Sequence, residues 1–72
     1  MTKLEVGKWV AGFGAAYIPY EKQMVDNGVD SSVMEIIAQE KDDTALGLIQ
    51  DAGIPNALHR RFILKRIREL VR

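Results

Sequence analysis

Cysteine is absent from the 72 residues, which excludes a disulfide framework and a thiolate metal site together. Histidine occurs once, at His59, and scattered carboxylates around one imidazole do not make a metal site. Long apolar runs are also missing: none approaches the ~20 residues that span a bilayer. No signal-peptide pattern opens the chain. These absences suit a soluble protein of a reducing compartment, cytoplasmic or nuclear and not secreted. Sustained apolar–polar alternation is lacking too, so strands find no support.

Catalytic patterns fail as well. Ser31 and Ser32 lie far along the chain from His59 and have no evident base, so no nucleophile–base pair can be drawn. Gly12-Phe13-Gly14 lacks the remaining glycine and the preceding strand of a dinucleotide fingerprint. Asp42-Asp43 lacks the spacing of a calcium loop. We assign no catalytic residue, no metal ligand and no cofactor, and expect a protein that is not an enzyme.

What is present points to one small helical domain over residues 1–72, with its core at about 6–71. Hydrophobic residues make up 47% and charged residues 28%, a globular balance. Net charge is zero but polarised. Residues 1–55 hold four Lys and nine Asp or Glu, for −5; residues 56–72 hold five Arg and one Lys against Glu69, for +5. Such polarity steers association with a complementary surface, including a second copy.

The pattern predicts five helices. The first covers about Leu4 to Ala11, with Leu4, Val10 and a central Trp9 offered to the core, and Gly12-Phe13-Gly14 ends it. The second runs from about Pro19 to Asn27, with Tyr17, Tyr20, Met24 and Val25 on its inner side and Gly28 as a left-handed stop. Asp30 or Ser31 caps a third carrying Val33, Met34, Ile36 and Ile37. Asp42 or Asp43 caps a fourth, with Leu46, Ile49 and Leu48 available inward, and Gly53 stops it. Asn56 caps the longest helix, which runs to about Val71. At 100° per residue, its Ile63, Leu64, Ile67, Leu70 and Val71 share a core face. Arg61, Lys65, Arg68 and Arg72 form a basic stripe opposite, and Leu58 and Phe62 place apolar bulk on the flank between.

Three segments in order resemble the sterile alpha motif (SAM) domain family. Val6-Gly7-Lys8-Trp9-Val10 matches its opening apolar-x-x-Trp pattern. Tyr20, Met24, Asn27, Val29 and Asp30 match Tyr-x-x-x-Phe-x-x-Asn-x-Ile-Asp. Gly53-Ile54, His59-Arg60, Ile63-Leu64, Ile67 and Leu70 match the closing segment in register. The chain departs from the family at Ser31 and Leu58, where glycine is usual, and at Phe62, where a polar residue is common. The stretch from Ile37 to Ile49 is longer than the family pattern, which assigns extra length to the fourth helix.

The resemblance implies a compact all-α, five-helix bundle that acts as a protein–protein interaction module within a larger signalling, scaffold or regulatory protein. It implies head-to-tail association with itself or another SAM domain, a contact that can propagate. The end-helix surface would comprise Leu58, His59, Arg61, Phe62 and Lys65; the mid-loop surface Glu35, Glu40, Asp42, Asp43 and Asp51. His59 would also pack or cap at the start of the last helix. Because exposed ion pairs contribute only ~0–1 kcal/mol and burying a large apolar side chain ~1.5–3 kcal/mol, Leu58 and Phe62 should set affinity and the charges orientation. The alternative implied by the resemblance is an RNA hairpin bound by Arg60, Arg61 and Lys65. The acidic remainder and zero net charge weigh against nucleic acid, and equally against a DNA-reading last helix. Nothing supports attachment to a membrane.

Overall fold

The computed structural model describes Met1–Arg72 as five α-helices and one 3-10 turn, without strands. The helices are α1 (Lys3–Ala11), α2 (Tyr20–Asp26), α3 (Ser31–Gln39), α4 (Asp42–Asp51) and α5 (Ala57–Val71), with the 3-10 turn at Ala15–Tyr17. No helix is long and apolar enough to cross a membrane.

Local chemistry sets the boundaries. Thr2 and Glu5 form a reciprocal capping box on α1: the Thr2 hydroxyl accepts from the Glu5 N–H, and the Glu5 carboxylate accepts from the Thr2 N–H. Asp30 caps α3 by accepting from the Val33 N–H at 3.1 Å, and Asn56 caps α5 by accepting from His59 at 3.1 Å. Past α2, Gly28 turns left-handed at φ 65°. The Gly28 N–H donates to Val25 and the Val29 N–H to Met24, a Schellman closure. Gly53 ends α4 at φ 97°, where a β-carbon would also meet the Gln23 side chain.

Two pairings organise the bundle: α1 lies against α2, while α3 and α4 pack on each other and on α5. One apolar cluster joins the pairings, including Val6, Val10 and Met24 from the first and Met34, Ile49, Ile63 and Ile67 from the second. Ile54, between α4 and α5, is wholly buried in it. Asn27 Nδ2 donates to the Ala52 carbonyl at 3.1 Å, tying the end of α2 to the end of α4.

Five expectations need correction. Leu4 is 59% exposed, because Val6 and Val10, four apart, take the inner face of α1. Trp9 is half-buried at the core edge and is not its centre. Ile36 is 55% exposed, since Met34 and Ile37 take the inner face of α3. Leu70 stands half in solvent beside Met1, Ser31 and Val71. Neither Asp42 nor Asp43 caps α4: Lys41 holds the cap position without a side-chain bond, and both aspartates lie in the first turn, where the helix dipole favours them.

Two measurements check these boundaries. Gly53→Ala should destabilise the fold in urea by about 1–2 kcal/mol through its left-handed backbone; wild-type stability would contradict the assigned turn. The hydrogen bonds from Thr2 hold the Glu5 carboxyl below its ordinary pKa of 4.5. Its contribution is therefore in place above the ordinary value and lost as pH falls through the lowered one. NMR titration should find Glu5 low, and Thr2→Ala should move it toward the ordinary value; an ordinary value in the wild type would refute the capping box.

Candidate functional site

Every aromatic ring of the protein belongs to one cluster. Trp9, Phe13 and Tyr17 are spaced four apart through the end of α1 and the 3-10 turn, and they meet edge to face at 4.8 and 5.7 Å between centroids. Tyr20 continues the row at 5.9 Å from Tyr17. From α5, Phe62 stacks against Phe13 at 5.3 Å and Tyr17 at 5.6 Å, while His59 lies 4.7 Å from Tyr17. The Arg66 guanidinium covers the Phe13 face at 5.3 Å. Such pairs are worth about 0.5–1.5 kcal/mol each beyond the area they bury. They fasten the start of α5 to the α1–α2 side of the bundle.

His59 belongs to this fastening. Its Nδ1 hydrogen-bonds the Tyr20 hydroxyl, and its own N–H satisfies Asn56. Burial pushes the Tyr20 pKa up, the neighbouring Tyr17 adds to the rise, and Arg60 opposes it. His59 thus packs at the start of α5, bonded to Tyr20 through its ring and to Asn56 through its backbone. Arg60 is likewise engaged: its Nη1 donates to the carbonyls of Ile54 and Pro55, bracing the α4–α5 turn.

The remaining end-helix candidates differ in kind. Leu58 is 78% exposed, more than any other large apolar side chain. Arg61 and Lys65 are exposed and make no ion pair or side-chain hydrogen bond. Phe62 is 38% exposed, so its ring divides between the cluster and solvent. The basic stripe is interrupted by Arg68, which donates to Asp42 Oδ1 at 2.7 Å and to the Glu40 carbonyl at 2.9 Å.

That bond decides how the acids are grouped. Glu40, Asp42 and Asp43 lie together where α3 turns into α4, and Asp42 shares a cleft of ≈ 260 Å³ with Arg61, Lys65, Arg68 and Arg72. Glu35 sits apart, beside Leu70 and Val71. Asp51 is in the last turn of α4 and lines a different hollow. The five acids are thus spread over three places, and the nearest of them is bound within its own chain. No group of three or more His, Asp or Glu residues is placed to hold a metal ion.

Asp51 borders a feature the sequence reading missed. Between α3 and α4 runs a groove of ≈ 280 Å³, and six of its eight lining residues are hydrophobic: Val29, Val33, Ile36, Ile37, Leu48 and Ala52. A signal was available. Ile36-Ile37 and Leu48-Ile49 are adjacent aliphatic pairs, and neighbours 100° apart on a narrow inner face compete for it, which turns one of each pair outward.

No protein-family model, curated protein or solved structure matches the chain.

The two flank residues can be separated by stability. Phe62→Ala should cost about 1–3 kcal/mol in chemical denaturation, below the figure for a fully buried ring. Leu58→Ala should stay within about 0.5 kcal/mol of wild type, as surface positions do. Equal losses at both positions would contradict this division.

Proposed function

We propose that this chain is a SAM-type protein–protein interaction module, not an enzyme, that docks on a protein partner through the exposed start of α5. The observation that carries the reading is Leu58, an aliphatic side chain 78% exposed in the first turn of α5. Burying such a side chain in a partner is worth ~1.5–3 kcal/mol. Arg61 and Lys65, one and two turns further along, make no ion pair within the chain, since Asp42 and Glu69, the acids that line their cleft, are engaged by Arg68 and Arg66. They supply orientation and encounter rate to a leucine that supplies affinity. His59 and Phe62 act differently, by fixing the angle at which this turn is presented. The five-helix bundle and the three motif segments in register support assignment to the SAM family, whose association is head to tail.

The RNA reading loses one of its three cations. Arg60 is bound to backbone carbonyls, which leaves Arg61 and Lys65 beside an exposed leucine, a poor phosphate cradle.

Sedimentation velocity across concentration and salt tests the proposal. The chain should grow in size with concentration, assemble more slowly as salt rises, and revert to monomer as Leu58→Asp with an unchanged circular dichroism spectrum. Acid at this position suits the first turn of a helix, so the variant should fold. A Leu58→Asp variant that associates as the wild type does would refute the proposal, whereas a wild type that stays monomeric would assign the same surface to a different protein partner.

A further inference from the structure

The start of α5 provides a projection, and the groove between α3 and α4 provides a hollow that no part of the same chain fills. We infer that this groove receives Leu58 of a second copy, so that self-association runs head to tail through an aliphatic socket instead of an acidic cluster. The inference rests on the reading of Leu58 as the docking residue.

Three observations select this pairing. The groove is aliphatic, with Ile36 55% exposed at its edge and Val33 and Leu48 along its walls. It carries one charge, Asp51, which makes no ion pair within its chain. Arg61 stands one turn from Leu58, also unpaired, so a leucine in the socket is accompanied by an arginine whose natural counterpart is that aspartate. The acidic turn between α3 and α4 is less suitable: Asp42 is already held by Arg68, and the cleft beside it offers one apolar residue, Leu64, among four cations.

The other exposed aliphatics offer no comparable socket. Ile18 lies in a more open depression whose lining includes Glu21, Lys22 and Asp26, with the Lys22–Asp26 pair across it. Leu70 and Met1 border a smaller hollow of ≈ 230 Å³ beside Glu35, where the Met1 ammonium, bonded to Ser31, opposes an incoming arginine. No α5 residue lines the α3–α4 groove, so projection and socket occupy different faces of one molecule. A contact of that kind is heterologous, leaving a free projection at one end and a free socket at the other, and it extends until something caps it.

Complementary variants test this. Leu58→Asp and Ile36→Asp, each folded by circular dichroism, should each weaken self-association by about ten- to a hundredfold. Mixed one to one, they retain one intact projection and one intact socket, and should form a dimer that grows no further. The two introduced acids repel, so the altered ends do not substitute for the native contact. If Ile36→Asp unfolds, Ile36→Lys replaces it, since a cation suits the C-terminal half of α3 and repels Arg61.

Wild-type association by the Ile36 variant, with Leu58→Asp monomeric, overturns the socket and leaves the α5 reading intact. Wild-type association by Leu58→Asp overturns the underlying reading itself. A mixture that stays monomeric overturns the pairing of these two surfaces, and a wild-type chain that is monomeric throughout overturns the second copy as occupant.

Discussion

The bundle depends on the burial of one side of α5. A domain of this size has little apolar surface to spare, and α1–α2 and α3–α4 are each too short to enclose a core alone. Ile63, Leu64 and Ile67 give both pairings a common wall, and Ile54 plugs the turn that leads into it. The aromatic cluster adds a second fastening at the start of the same helix. Because α5 is the longest element and leaves Leu58, Arg61, Lys65 and Arg72 in solvent, it presents the longest exposed helix face of the chain.

This division of labour runs through single residues. His59 and Arg60 look like members of a basic binding surface, yet one is hydrogen-bonded to Tyr20 and the other braces the carbonyls of Ile54 and Pro55. Arg66 covers Phe13, and Arg68 closes on Asp42. What remains free at the start of α5 is narrow: Leu58 with Arg61 and Lys65. Half of the six cations in the last seventeen residues, Arg60, Arg66 and Arg68, therefore bind within the chain, while Arg61, Lys65 and Arg72 face outward.

Much of the fold was legible because helix ends are local events. Asp30, Asn56, Gly28 and Gly53 act at their boundaries through their own side chains or their own backbone freedom, so residue type alone announces them. Faces were harder to read. In helices of nine residues, Leu4 competes with Val6 and Ile36 with Ile37, and only the neighbouring helices decide which turns inward. The acidic surface was least legible, since proximity in sequence gathered Glu40, Asp42 and Asp43 while Arg68, far along the chain, claimed one of them. The groove arose from the same ambiguity: aliphatic residues counted as core were left over once each helix had chosen its inner face.

The central claim is that the outer start of α5 and the α3–α4 groove are the two halves of one contact. Two-dimensional amide NMR spectra over a concentration series test it most directly. The account predicts shifts confined to two separated regions, residues 58–65 and the groove residues of α3 and α4, moving together as concentration rises. Shifts centred elsewhere, such as around Leu4 and Ile18, or a single patch on α5 meeting its own symmetry mate, would contradict it.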